Sequence, residues 1–565
     1  MHHSGPIAGV AAQGPWVATA GYDNRLILWD AVTRLPVARS THDHLVNACD
    51  FSHDGRYLVS ASSDYSARIW SLPDLRLIAV LTGHDDDVDM ARFSPDDSLV
   101  ATCALDRVVR VFGADGVLRH AMQGHTGNIL SLAWLDDHRF VTSSVDGTLR
   151  TWHADKGMCL GVDDLGMRSD CVEITRDGRI MAGDDLGRIA VVQGGTPIFV
   201  AGHQAGIKKL VIARDGQRMV TLGYDRMLAV WDVTAAIPRM VARSEIPPQV
   251  WARAAAVCPD GRIAVGSFGT TFGLFDPQTA LWDMEGVSAG PAINAIIEQA
   301  GTILTIGDAG ALQADGAFAG NVGSLCNFLC AAQGRVLTGG HLGEICDAAS
   351  GAVLYRHHAP LNCATSFAMG GTPHVAIGAY TGEILLFEVG SDLTLVRVIH
   401  PYAHAVKSLA SAGGLLFSVC ANTDIAWHDP ATGTEIRRLA HAHTRIANAA
   451  CALADEGFAS VGRDRMLRLW LNDCAPAFRT PHPNSVKCMA ASPCGRWIAS
   501  GSYGGTVALF DRATRSFLPM RRISKAGISA LCWSETGGCF LAASYAGEVM
   551  PLPIPETLLA QRAAA

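Results

Sequence analysis

Apolar positions along this chain fall in short runs bounded by turn clusters, and the same grouping returns roughly every forty residues. An apolar run such as Val46–Phe51 or Ile129–Trp134 reads as a first strand. A tight hairpin follows: Ser52-His53-Asp54-Gly55-Arg56, Ser94-Pro95-Asp96-Asp97, Cys258-Pro259-Asp260-Gly261-Arg262, or Ser492-Pro493-Cys494-Gly495-Arg496. Pro fixes φ, Asp bonds its own backbone and Gly supplies positive φ, which is what such turns require. Next comes a short strand of small residues (Leu58–Ser62, Ile498–Ser502), then a second turn holding an Asp, then a strand ending in Trp. A weaker outer strand (Leu75–Leu81, Ile436–Ala440) completes a unit of four antiparallel strands.

Units end near Trp29, Trp70, Phe112, Trp152, Val192, Trp231 and Phe275. Two eroded copies follow, around Thr305–Leu312 and Gly339–Ile345, and then copies ending near Phe387, Trp427, Trp470 and Phe510, with a last one at Ala543–Met550. Seven and seven exceed the usual closure range of about four to eight blades for a single ring. The expectation is an all-β chain of two seven-bladed β-propellers in tandem, the first over 1–285 and the second over 286–565, with degenerate blades near 286–350. Each ring can close without exchanging its outermost strand, although the last blade has only Glu556–Arg562 left for its own.

The recurring residues resemble the WD40-repeat family. Gly83-His84, Gly124-His125 and Gly202-His203 match its Gly-His pair, and Trp29-Asp30 and Trp231-Asp232 match the dipeptide that names it. The resemblance implies a hydrogen-bonded tetrad of His, Ser/Thr, Asp and Trp inside a blade. His42, Ser62, Asp64 and Trp70 match it, as do His125, Ser144, Asp146 and Trp152, while His84/Asp106 and His203/Asp225/Trp231 match in part. The His-to-Asp spacing of 21 or 22 predicts His2 as the partner of Asp23 and His443 as the partner of Asp464. A buried Asp must be hydrogen-bonded, so these groups are structural. A Ser/His/Asp hydrolase triad is disfavoured, because the trio repeats and no glycine-framed nucleophile turn accompanies it.

Composition narrows function mainly by exclusion. The net charge of −8 sets up no global basic field for nucleic acid. Residues 1–285 carry 26 Lys/Arg against 34 Asp/Glu, and the remainder 19 against 19. No apolar stretch is long enough for a membrane helix, and the start shows no signal-peptide pattern. The sixteen cysteines lack Cys-x-x-Cys pairs, Cys326 and Cys330 included, and read as reduced thiols of a cytoplasmic protein. His357-His358 and His441-Ala442-His443 read as blade-joining loops. No cofactor or metal site is expected.

Two charged groups stand out as candidate partner sites. Asp85, Asp86, Asp87 and Asp89 should crowd one rim with Asp184 and Asp185, as a solvated acidic loop or as a docking edge for a basic partner. Arg512, Arg515, Arg521, Arg522 and Lys525 offer a basic group that lacks the aromatics needed for base stacking. The expected function is a non-catalytic scaffold or sensor subunit that binds a protein or peptide. The alternatives are a propeller hydrolase or lyase with a site at a ring centre, or an adaptor for acidic segments or nucleic acid.

Overall fold

A computed structural model of the protein describes residues 2–213, 216–471 and 475–554. Its described residues contain strands and turns only, so no helix is long and apolar enough to cross a membrane. The strands form fourteen antiparallel sheets built from consecutive strands, which are the blades of two seven-bladed propellers in tandem. The chain divides into two compact units, Met1–Gly290 and Pro291–Ala565. We number the blades 1 to 14 in chain order and count strands outward from the innermost.

Blade 2 is typical, with strands Val46–Phe51, Tyr57–Ser62, Ala67–Ser71 and Arg76–Leu81. Its second strand is buried nearly throughout while its fourth is largely exposed, so the small-residue second strand lies where blades wedge together. Cores form between neighbouring blades: Leu58 and Trp70 of blade 2 pack with Ala18 and Leu28 of blade 1. The first ring closes by packing Trp29 of blade 1 on Phe272 of blade 7, ring centroids 5.9 Å apart, and by His3 N–H donating to Thr270 O. In the second, Ile293 and Ile296 of blade 8 pack with Leu541 and Ala543 of blade 14, and Thr536 N–H donates to Glu298 Oε1. Blade 14 shows three strands among the described residues, and Glu556–Arg562 lies outside them. In blade 13 the outer strand is broken into Ser516–Phe517 and Arg521–Arg522 around Pro519, which has no N–H to give the ladder.

The tetrads are present, with a different hydroxyl from the one the sequence suggests. In blade 4, His125 Nδ1 lies 2.8 Å from Asp146 Oδ2 and Nε2 lies 2.8 Å from Thr142 Oγ1, to which Trp152 Nε1–H also donates at 2.8 Å. In blade 2 the corresponding hydroxyl is Ser60, 2.7 Å from both His42 Nε2 and Trp70 Nε1. Ser62 and Ser144 are therefore not the tetrad hydroxyls. They sit two residues on, at the strand end, where their Oγ accepts Asp64 N–H and Asp146 N–H and holds the turn. Register decides this: Trp70 pairs with Leu58, so the hydroxyl diagonal to the indole is that of Ser60. Blade 1 uses His3, not His2, with Asp23 at 2.9 Å and Thr19 at 2.8 Å, while His2 is exposed beside Trp29. Blade 6 uses His203, Thr221, Asp225 and Trp231, and blade 12 uses His443, Ser460, Asp464 and Trp470. Burial alone would raise these carboxylates. Instead the His42 bond and charge hold Asp64 well below its usual range, and the His84 bond and charge bring Asp106 down to about 2.

Other blades fill the same space differently. Blade 11 places His428 in the indole slot: Leu416 pairs with His428, and Ser418 Oγ bonds His428 Nε2 at 2.9 Å and Tyr402 OH at 2.8 Å. Trp427 lies on the opposite face of that strand, against Phe417 and Trp470. Blades 8 and 9, eroded in sequence, are complete four-stranded sheets. In blade 8 the Asn294 amide donates to Asp308 Oδ1 at 2.9 Å, and burial raises the Asp308 carboxyl to about 7.

Two measurements check these assignments. Thr142→Val leaves His125 Nε2 and Trp152 Nε1 buried without a partner and should cost about 2–4 kcal/mol in urea unfolding, against about 1 kcal/mol for Ser144→Ala. A carboxyl raised on folding stabilises below its unfolded value near 3.8 and loses that contribution as pH rises through about 7. Asp308→Asn should therefore gain stability over the parent at pH 8 and show little gain at pH 4.

Candidate binding surfaces at the ring centres and rims

The innermost strands carry the same irregularity in every blade but the seventh, where the interruption is longer and runs from Val250 to Ala255. Elsewhere the register shifts at the second residue: between Val46 and Ala48, Ser169 and Cys171, Ile207 and Lys209, Val406 and Ser408, and Val486 and Cys488. Such a β-bulge leaves one residue outside the ladder and re-aims its side chain. Innermost strands of consecutive blades are neighbours around each ring, so bulge residues form a girdle about its axis. In several blades the bulge residue is Asn, and its amide reaches the next blade. Asn47 donates to Val88 O at 3.0 Å, Asn327 to Leu361 O at 2.7 Å, Asn362 to Val406 O at 2.7 Å and Asn448 to Val486 O at 2.7 Å.

In the first ring the girdle is charged and internally neutralised. The bulge residues Asp89, Asp170 and Lys208 come from blades 3, 5 and 6. Lys208 Nζ lies 2.6 Å from Asp170 and 2.8 Å from Asp185, with Arg168 Nε 2.7 Å from Asp170. Asp89 pairs with Arg253 at 3.1 Å, and Arg253 lies near the rings of Trp251 and Tyr22. Deeper along the same strands Arg92 grips both oxygens of Glu173 at 2.5 and 3.0 Å. Burial opposes ionisation of Asp170, but the Arg168 and Lys208 charges outweigh it and hold that carboxyl far below its usual range. Asp50 has no such pair and burial lifts it to about 6.

The predicted acidic edge is smaller than the sequence suggests. Asp85 is exposed and Asp86 half-buried, and they keep the rim position. Asp87 and Asp89 do not: Asp87 is 3% exposed, and Asp89 is the bulge residue paired with Arg253. The reason is that the innermost strand of blade 3 begins at Val88 and turns the chain inward there. Asp184 is fully buried, held by Leu186 N–H, Arg188 N–H and the Arg188 guanidinium. The basic group is likewise divided. Arg512 and Arg515 lie in the turn after Thr506–Asp511, whereas Arg521 and Arg522 pair with Val507 and Thr506 at the other end of that strand and Lys525 follows them. Six strand residues separate the ends by roughly 20 Å. Arg512 is also engaged, with Asp455 at 2.6 Å and Gly495 O at 2.8 Å. Arg515, Arg521, Arg522 and Lys525 are exposed.

Metal-binding chemistry is concentrated at one place among the described residues: His357, His358 and Glu383 offer ligand atoms within 4.8 Å of one another. The described cysteines are unbridged, and burial pushes the Cys171 and Cys326 thiols up to about 12. Sequence reading missed the bulge girdle altogether. Its signal is a polar residue immediately after the first buried residue of the innermost strand, as in Val46-Asn47, Val88-Asp89, Val406-Lys407 and Val486-Lys487.

The Asp170 cluster supplies a test of the girdle's energetics. Asp170→Asn leaves Arg168 and Lys208 facing each other and should lower stability by about 3 kcal/mol in denaturant titration. The Asp170→Asn/Lys208→Met pair should recover a large part of that loss.

With the geometry in place, the chain can be compared with known proteins. The model of the WD domain, G-beta repeat (WD40) matches residues 1–30, 36–71, 75–113, 116–153, 195–232 and 476–511. A ribosome biogenesis protein WDR12 homolog from Drosophila mojavensis is 28% identical over 175 residues, covering 26% of this chain and 42% of that protein. The Drosophila sechellia homolog is 29% identical over 175 residues, covering 26% and 41%. The match thus spans about two fifths of the length of these curated relatives. The chain thus carries six matched repeats of WD40 type, four of them in blades closed by a His–hydroxyl–Trp network.

Proposed function

We propose that this protein is a non-catalytic scaffold whose propeller faces hold a protein or peptide partner. The observation that carries the reading is the state of its Ser/Thr–His–Asp groups. Both imidazole nitrogens of His42, His125, His203 and His443 are occupied, and the hydroxyls of Ser60, Thr142, Thr221 and Ser460 are fully buried against an indole. A nucleophile must reach its substrate, and these are sealed inside the blades. Their work is to hold strands so that loops and channel side chains have fixed positions, which favours binding by limiting the entropy lost on association. The similarity to ribosome biogenesis protein WDR12 homologs supports a role inside an assembly. Buried, unbridged cysteines suit a reducing compartment, and we place the protein in the cytoplasm.

The docking edge in this reading consists of Asp85 and Asp86, which offer negative charge to a basic segment. Asp87 and Asp89 are excluded because reversing a buried charge would damage the ring itself. Affinity capture from the native host, with the full chain as bait, tests the proposal. Asp85→Lys/Asp86→Lys should leave the melting temperature unchanged and reduce the captured partner at least tenfold. Equal capture by the variant removes this edge as the site, and recovery of no partner by the parent chain removes the scaffold reading.

A further inference from the structure

The two rings treat the same bulge position in opposite ways. In the first, the bulge lysine Lys208 is neutralised by Asp170 and Asp185. In the second, the bulge residues of blades 11 and 13 are Lys407 and Lys487, and neither forms an ion pair or hydrogen bond among the described residues. The neighbouring positions in that girdle hold no carboxylate. Asn362 and Asn448 donate to Val406 O and Val486 O, and Ser529 Oγ donates to Ala543 O. The nearby acids belong to other partners: Asp464 is bonded to His443, and Asp424 to Asn422 and Arg438.

The cations also act on one another. After burial, the charge of Lys487 is the main cause pushing Lys407 below the usual lysine range. Burial opposes ionisation of the Tyr503 phenol, but the charges of Lys487, Arg463 and Lys407 outweigh it and lower its pKa, so all four groups share one electrostatic neighbourhood. The Tyr380 ring, 5.7 Å from Lys407 Nζ, and the stacked pair Tyr503 and Tyr545 stand at the turns of blades 10, 13 and 14. Like charges held together in a partly desolvated channel repel strongly, and an anion between them converts that repulsion into attraction.

We propose that the channel of the second ring binds a phosphoryl dianion between Lys407 and Lys487. Charge matching selects the ligand: a single carboxylate would leave one ammonium uncompensated, whereas a phosphoryl group carries close to two negative charges at neutral pH and several acceptor oxygens. The group arrives either as free phosphate or on a phosphorylated side chain. This site is independent of the partner edge at Asp85 and Asp86, so a failed capture experiment there leaves it standing.

The test uses the full chain in phosphate-free buffer at constant ionic strength, titrated calorimetrically with inorganic phosphate against chloride. The parent should bind phosphate and melt at a higher temperature in its presence. Lys407→Gln and Lys487→Gln should each weaken phosphate binding at least tenfold, and the double variant should abolish it. Without phosphate the variants should melt at or above the parent temperature, because a repulsion has been removed, and this readout separates lost binding from lost folding. Equal phosphate affinity in the double variant means an adventitious ion only and overturns the proposal, as does a parent chain that shows no phosphate-dependent shift. A phosphoserine peptide that binds more tightly than free phosphate assigns the group to a protein partner, and equal affinity assigns it to the free ion. An unphosphorylated peptide that binds as tightly as its phosphoserine form overturns phosphoryl recognition.

Discussion

The blades with a full tetrad depend on an imidazole with both nitrogens in use. The ring sits in the loop that leads into a blade, bonds a hydroxyl of the second strand at Nε2, and bonds the Asp of the following turn at Nδ1. The same hydroxyl accepts the indole N–H from the third strand. One buried side chain thereby fixes the chain's entry, its second strand and its third. Because entry is fixed, the start of the innermost strand is fixed as well, and with it the bulge that faces the ring axis.

The constraint is geometric more than chemical, as the irregular blades make plain. Blade 11 satisfies it with Tyr402, Ser418 and His428, exchanging the position of imidazole and aromatic ring around the same central hydroxyl. Blade 13 bonds His482 to Ser500 and Thr506 with no carboxylate at all, and burial lowers that imidazole to about 4. Blade 8 drops the hydroxyl and pairs Asn294 with Asp308. In each case the central polar atoms find partners, as the free energy of burial demands, although His428 Nδ1 in blade 11 and Asp308 Oδ2 in blade 8 are buried without one among the described residues.

Blade number, strand order and the His-to-Asp pairing were legible because each has a fixed spacing along the chain. The hydroxyl was not, since Ser60 and Ser62 lie on the same strand face and only the register against Trp70 distinguishes them. His2 fits the 21-residue spacing to Asp23, whereas His3, which makes the bond, lies 20 residues before it, one short of the shortest spacing in the other blades. The acidic run read as uniform, yet the innermost strand begins inside it, so Asp85 and Asp89 face different surroundings. The basic residues are close in sequence, but a strand folds Arg512 and Arg522 to opposite ends of a blade. The bulge girdle escaped because an extra residue interrupts alternation at one position only, which looks like an ordinary polar substitution in a strand.

The bulge has one more consequence. A residue outside the ladder contributes no ladder hydrogen bond, and its side chain packs in no blade core. The bulges therefore form a series of sockets at one position of successive blades, and the contents of neighbouring sockets must match, as Asp170 matches Lys208. The first ring holds opposite charges that cancel at Asp89, Asp170 and Lys208 beside the amide of Asn47, and the second holds amides interrupted by two cations. Divergence between two copies of one architecture can then proceed by swapping plugs at a common address, while the framework that makes the address stays the same.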